Sequence, residues 1–132
     1  MKNKQDLAQG FFRKGDSDLA DARRTLVSDG PYDTACFHAQ QAVEKYLKAY
    51  LAWKGQPIPR THDLEELQTL CVAQAQLTDL AKLDLTELTA YAVELRYDAE
   101  FWPTHSTADE AVHLVERVRS YVIECLPQDA RP

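Results

Sequence analysis

Residues 37–51, FHAQQAVEKYLKAYL, decide the fold of this 132-residue chain. On a helix that advances about 100° per residue, the apolar side chains of this stretch fall on one broad face. That face consists of Ala35, Ala39, Ala42, Val43, Tyr46, Leu47 and Tyr50. The opposite side is polar but includes two apolar residues: Gln40, Glu44 and Lys48, with Phe37 and Leu51 among them. Apolar side chains on the polar side of a helix are stabilised only when they are buried. We therefore expect this helix to make contacts on both faces, most simply with a second copy in a homodimer.

One flank of this helix carries three polar side chains, His38, Gln41 and Lys45. Such a flank suits a ligand pocket, in which Lys45 would face the phosphate of a nucleotide, or the seam of a dimer. We favour the dimer seam, since Phe37 and Leu51 also need cover.

Apolar spacing and turn residues divide the chain into five predicted helices. They span about 4–27, 32–54, 63–73, 83–97 and 107–126. Gly55 ends the second helix, and Asp63 with Glu66 three residues later forms a capping box that opens the third. A second capping box, Thr107 with Glu110, opens the last helix. Since the sequence has no strand alternation and its helix connections are short, an antiparallel helical bundle is predicted.

The bulk composition fits one folded, all-helical domain. The chain is 45% hydrophobic and 27% charged, with only four Gly and six Pro, which excludes disorder. We expect a single domain over residues 1–132, with a core over about 4–126 and a frayed tail over 127–132. The sequence has no apolar run of about twenty residues, and its N-terminal MKNKQDLAQG has no hydrophobic signal core. We therefore expect a cytoplasmic protein that does not contact a membrane.

Net charge and the spacing of Cys and His limit the chemistry. The formal charge of −6 argues against a generic nucleic-acid binder, because phosphate affinity depends mainly on Lys and Arg. A local basic pocket stays open as an alternative. Cys36, Cys71 and Cys125 are widely spaced at apolar helical positions, which predicts buried thiols. The four histidines are too scattered for a zinc site, so neither a metal nor a cofactor is expected.

The second predicted helix and the segment after it carry a longer pattern. It reads A-x-F-H-A-Q-Q-A-V-E-K-x-L-K-A over 35–49 and P-x-T-H-D-L over 59–64. Together with Asp18-Leu19, Gly30-Pro31-Tyr32 and Arg96-Tyr97, it resembles the HEPN family of small helical domains over about residues 7–126. The resemblance implies an antiparallel four-helix up-and-down bundle with an additional short helix.

Many HEPN domains are metal-independent ribonucleases, whose signature is an Arg followed after four to six residues by a His. In that chemistry His moves a proton at the ribose and Arg stabilises the developing charge of the phosphate. The corresponding residues here are Arg96 and His105, with eight residues between them, Pro103 included. Because proline breaks a continuous helix, either a loop returns His105 to Arg96, or Arg96 pairs with a neighbouring carboxylate and His105 is a surface loop residue. The neighbouring carboxylates would also repel RNA phosphates: they are Glu94, Asp98 and Glu100.

Arg60 and His62 precede the third predicted helix. Unsatisfied backbone N–H groups at a helix start can hold an anion such as a nucleotide phosphate. We favour the alternative, in which Thr61 and Asp63 cap this helix and His62 packs against the bundle.

The resemblance implies a function where composition alone would stop at a helical domain. HEPN chains like this one are often encoded beside a minimal nucleotidyltransferase, in two-gene systems of the toxin–antitoxin kind. A non-catalytic interaction module is therefore predicted, with a nucleotidyltransferase as partner and a nucleotide or RNA as a second candidate partner. The alternatives are a ribonuclease toxin that uses Arg96 and His105, and a nucleotide-binding protein that uses Lys45.

Overall fold

The computed structural model describes residues 3–74 and 78–131, excluding the side chains of 78 and 93–97. This part of the chain consists of α-helices and one C-terminal 3-10 turn, without strands. The helices are α1 (Lys4–Leu26), α2 (Asp33–Trp53), α3 (Leu64–Gln74), α4 (Thr78–Ala81), α5 (Thr86–Tyr97) and α6 (His105–Cys125). The turn spans Gln128–Ala130. The all-helical class predicted from the sequence is confirmed, whereas the up-and-down order of four helices stays a prediction.

Helix α2 is the centre of the molecule, since it packs against α1, α3, α5 and α6. Every residue of its predicted apolar face is buried. Its opposite side is also covered, because Gln40, Glu44 and Leu51 are buried within the chain itself. Phe37 is half-buried. The prediction that α2 makes contacts on both faces is therefore right, but a second copy is not needed to make them.

The cover over Leu51 comes from the segment that links α2 to α3. Gly55 ends α2 with a φ of 68°, in the left-handed region where glycine is favoured. The backbone N–H of Gln56 then donates to the Leu51 carbonyl at 3.0 Å. Leu51 lines a small apolar cleft of about 230 Å³ with this segment and α3, and the other lining residues are Gln56, Pro57, Ile58, Pro59, Leu70 and Gln74. The linking segment and α3 thus cover Leu51, as a second copy was expected to do.

Two helix starts test the predicted caps. The Asp63 carboxylate accepts from the backbone N–H groups of Glu65 at 3.0 Å and Glu66 at 3.3 Å, so the predicted cap of α3 is confirmed. Helix α6 instead begins one turn earlier than expected, because Thr104 is the N-cap and accepts from the Thr107 N–H at 3.1 Å. Thr107 is therefore inside the helix, and the predicted start was wrong. Helix α4 was not predicted at all.

The C-terminal tail is packed, in contrast to the predicted frayed end. Ala130 is buried, and the Gln9 side-chain amide donates to the carbonyls of Asp129 at 2.8 Å and Arg131 at 3.1 Å. The Arg131 guanidinium in turn donates to the Leu126 carbonyl at 3.0 Å. These bonds fix the tail against the first two turns of α1. Among the described residues, no helix combines the length and the apolar character that a membrane crossing requires.

Candidate functional site

A carboxylate at the α1–α2 contact collects two of the candidate site residues. Asp18 of α1 is only 9% exposed, and its carboxylate accepts from His38 Nδ1 at 2.8 Å and from the Lys45 ammonium. Because an ionised carboxylate only accepts hydrogen bonds, Nδ1 of His38 carries a proton. Nε2 is then the ring nitrogen that remains for proton exchange. The arrangement could orient His38 as a proton acceptor, and it also holds the two helices together.

A second carboxylate lies on the other side of α2. Glu44 is buried and accepts from His62 Nδ1 at 2.7 Å and from the Lys48 ammonium at 3.2 Å. The Gln40 amide donates to the His62 carbonyl at 3.2 Å and accepts from the Gln41 amide at 2.6 Å. This network ties the segment before α3 to the face of α2 that was expected to meet a partner.

The structure therefore divides the predicted flank of α2. His38 and Lys45 come together on Asp18, at a seam between two helices of one chain, whereas Gln41 bonds to Gln40. Asp18 was not predicted as their partner. One signal pointed to it, since Asp18 lies on the buried stripe of α1 with Gly15, Leu19 and Ala22. A carboxylate on such a stripe requires a partner inside the fold.

The start of α3 is not arranged as an open anion site. The N–H of Leu64 donates to the Thr89 hydroxyl at 3.1 Å, and the next two N–H groups donate to Asp63. These backbone donors are therefore used by the protein itself. Arg60 is exposed, and the His62 side chain is 59% exposed although its Nδ1 is bonded to Glu44. His62 thus packs against the bundle only through one edge of its ring.

His105 is exposed, as one of the two alternatives expected, but it is the first residue of α6 and does not lie in a loop. Its Nε2 lies 3.0 Å from the Leu26 carbonyl at the end of α1, and its ring meets the ring of Tyr32 edge-on with centroids 5.2 Å apart. Because a carbonyl oxygen only accepts, Nε2 is the protonated nitrogen. His105 joins the start of α6 to the α1–α2 turn. Arg96 lies in α5, but its side chain is outside the described residues.

A cavity of about 460 Å³ lies where α5 ends and α6 begins. It is lined by aromatic and acidic residues, with Trp102 63% exposed. The residues are Glu87, Ala90, Tyr91, Asp98, Glu100, Phe101, Trp102, Pro103, Thr104 and Thr107. Carboxylates at this position oppose the approach of a phosphate backbone.

A third polar cluster joins α1, α2 and α6. The Asp16 carboxylate accepts from the Tyr46 hydroxyl at 2.6 Å and from the Arg119 guanidinium at 2.8 and 3.3 Å. Burial, and then the hydrogen bond to Asp16, raise the pKa of the Tyr46 hydroxyl above its usual range. The hydrogen bonds that the Arg119 guanidinium itself donates to Asp16 raise the pKa of Arg119. Both groups keep their protons, so the cluster connects helices and offers no group for proton transfer.

No grouping of three His, Cys, Asp or Glu side chains suited to a metal ion occurs within the described part of the chain.

Comparison with known proteins gives one result that bears on identity. Neither a curated protein nor a solved structure matches the sequence. The family model described as HEPN domain matches residues 8–126, and the chain therefore belongs to the HEPN family.

Proposed function

We propose that this chain is a non-catalytic HEPN interaction module, built as the four-helix up-and-down bundle that the family resemblance implies. Its partner is a minimal nucleotidyltransferase in a two-gene system of the toxin–antitoxin kind. Transfer chemistry belongs to that partner, and this chain supplies a helical surface. Membership of the HEPN family supports a role related to nucleotides, RNA or toxin–antitoxin pairs.

One observation carries the non-catalytic part of the proposal. Nε2 of His105, the histidine of the ribonuclease motif, donates to the Leu26 carbonyl, whereas His38 and His62 use only Nδ1 in their bonds to Asp18 and Glu44. For His105 this matters most, since Nε2 would have to give up a bond that joins α6 to α1 before it could exchange a proton with RNA. Breaking a hydrogen bond of this kind costs about 0.5–1.5 kcal/mol.

Electrostatics supports the same conclusion. Phosphoryl chemistry requires positive charge around the developing negative charge. The cavity between the end of α5 and the start of α6 is instead lined by Glu87, Asp98 and Glu100, in a chain with a formal charge of −6. A ribonuclease toxin with Arg96 and His105 is therefore the weaker alternative.

Nucleotide binding is a second candidate, and the exposed His62 favours it. Glu44 holds Nδ1 of His62 in place while 59% of the side chain is accessible. Arg60 nearby in the sequence is exposed as well. The paired variants Arg60→Ala and His62→Ala should weaken nucleotide binding in calorimetry if this candidate is correct.

Co-purification from the native locus tests the leading proposal. The tagged chain should elute with a nucleotidyltransferase encoded by the neighbouring gene, in a constant ratio over affinity and size-exclusion steps. A tagged, unrelated helical domain of similar net charge serves as the control. Elution of the chain without a nucleotidyltransferase, at native expression levels, would overturn the proposal.

A further inference from the structure

The cavity between the end of α5 and the start of α6 has no part in the proposed function. Its volume of about 460 Å³ falls within the range of roughly 300–1,000 Å³ that ligand pockets span. One wall is a loop whose backbone is anchored at both ends. The Asp98 carboxylate accepts from the Glu100 N–H at 2.9 Å, the Asp98 carbonyl accepts from the Phe101 N–H at 3.2 Å, and Thr104 caps α6. The shape of this wall is therefore set by the fold.

Aromatic rings form the apolar part of the cavity. The ring centroids of Tyr91 and Phe101 lie 5.5 Å apart, with Tyr91 buried and Phe101 half-buried. Trp102 lines the same cavity and is 63% exposed. Its indole is therefore accessible to a ligand, and aromatic faces attract cations.

The charge of the lining decides which class of ligand fits. Glu87, Asp98 and Glu100 are exposed carboxylates of this cavity. Among the described residues, the lining contains no Lys, Arg or His, and no such side chain forms an ion pair with any of the three carboxylates. An anion is therefore repelled here, whereas a cation is attracted by all three negative charges.

An organic cation fits this lining better than a metal ion. A divalent metal ion requires several oxygen ligands that converge at about 2.0–2.6 Å, and no group of three metal-binding side chains occurs in the part of the chain that the structure describes. An ammonium group on a methylene chain can instead place its stem on the aromatic rings and its charge beside a carboxylate. Several carboxylates around one cavity favour a ligand with several such ammonium groups.

We propose that this cavity binds a linear polyamine. Its methylene segments pack on Phe101 and Trp102, and its ammonium groups pair with Glu87, Asp98 and Glu100. Because these carboxylates are exposed, each ion pair contributes little and is weakened by salt, so the affinity depends on the sum of the contacts. The site is independent of the nucleotidyltransferase partner and of any catalysis by this chain.

Tryptophan fluorescence tests the proposal with spermidine as the probe. The chain has two Trp residues, and Trp53→Phe leaves Trp102 as the only one. We expect spermidine, a triamine, to change the emission of Trp102 in a saturable manner. Putrescine, a diamine, should bind about two- to fivefold more weakly, because it loses an ion pair. Magnesium chloride at equal ionic strength should leave the emission unchanged.

Calorimetry with single variants locates the site. Glu87→Gln, Glu100→Gln and Trp102→Ala should each weaken spermidine binding by about two- to fivefold. All three residues are exposed, so the variants should keep the native melting curve. Glu66→Gln is the matched control, because Glu66, like Glu87, is an exposed acidic residue in the first turn of a helix. Glu66 does not line the cavity, and its variant should leave binding unchanged.

The proposal is overturned if spermidine does not bind, if Glu66→Gln weakens binding as much as Glu87→Gln, or if magnesium reproduces the change in emission. The last two results would show a general attraction of cations to an acidic chain. A tripeptide with blocked ends and a central arginine provides a further comparison. If it bound more tightly than spermidine, the occupant would be a segment of protein and the polyamine assignment would be wrong.

Discussion

Asp18 is a residue at which a small chemical change should be costly. Its carboxylate, with 12% of the side chain exposed, is the partner of both His38 and Lys45. Asp18→Asn removes the charge and leaves the Lys45 ammonium at a poorly hydrated position without its counterion. We expect the free energy of unfolding to fall by about 1–3 kcal/mol in urea titrations.

The control for Asp18 lies on the same helix. Asp21 pairs with Arg24 on the surface, where the two side chains are 40% and 70% exposed. Asp21→Asn should change the free energy of unfolding by no more than about 0.5 kcal/mol, as is usual for exposed ion pairs. Equal losses in the two variants would show that Asp18 is not a structural centre.

The cysteines allow a second test at this scale. Burial, followed by the charge of Cys125, raises the pKa of the Cys71 thiol to about 12, and its Sγ donates to the Leu47 carbonyl at 3.4 Å. Cys125 is only half-buried, and burial and Glu124 raise its pKa as well. Since the thiolate is the reactive form, a thiol reagent at pH 8 should modify Cys125 first and Cys71 only as fast as the protein opens.

Mass spectrometry of peptides after timed labelling separates these two thiols. Labelling in denaturant should modify all three cysteines and serves as the reference. If Cys71 in the native protein reacted as fast as Cys125, the described packing around α3 would be incorrect.

At the residue scale, the sequence predicted His38 and Lys45 as site residues but did not predict Asp18 as the carboxylate that they bind. His38 and Lys45 were selected because they share a flank of one helix, which depends only on local spacing. Their carboxylate comes from another helix, 20 residues before His38 and 27 before Lys45. Helical periodicity does not tell which residue of α1 meets which residue of α2, so the pairing required the structure.

At the element scale, two glycines in α1 make opposite predictions. Gly15→Ala should destabilise the protein by about 1–3 kcal/mol, because the added Cβ overlaps a ring that cannot move away. The Tyr46 ring is fully buried, lies 4.8 Å from Phe12 and bonds to Asp16 at 2.6 Å. Gly10→Ala meets no neighbour and should stabilise the protein by up to about 1 kcal/mol through helix propensity.

Thermal or urea unfolding measures both variants. Opposite signs are the expected result. If Gly15→Ala were as stabilising as Gly10→Ala, the close approach of α1 and α2 at Tyr46 would not exist.

Helix ends show where local signals compete. At α3, the sequence offered Thr61 or Asp63 as the cap. In the structure the Thr61 hydroxyl accepts from the Asp63 N–H at 3.1 Å, and Asp63 accepts from the helix itself. At α6, both Thr104 and Thr107 precede apolar residues, and the capping-box spacing favoured the wrong one. Tertiary contact decides this case, since starting at His105 allows the His105 ring to reach Leu26 and Tyr32.

At the scale of the whole molecule, the all-helical class followed from one periodicity and is confirmed together with the family. The argument for a dimer through α2 rested on Phe37 and Leu51 lacking cover, and Leu51 is buried within the chain. The segment after Gly55 and the Glu44 network cover that side from within. A homodimer stays a prediction.

The central claim is that this HEPN chain does not itself cleave RNA, and one assay tests it most directly. The double variant Arg96→Ala, His105→Gln removes the charge and the proton-transfer group, while Gln keeps an N–H donor for the Leu26 carbonyl. The native chain and this variant should be incubated with structured and single-stranded RNA in EDTA, which suppresses contaminating metal-dependent nucleases.

We expect identical, background-level cleavage from both proteins, because a misplacement of about 1 Å in such a site costs on the order of a hundredfold in rate. His105 is held by a helix end and a tyrosine ring. Reproducible cleavage by the native chain that disappears in a double variant with an unchanged melting curve would contradict the account and make this protein a ribonuclease.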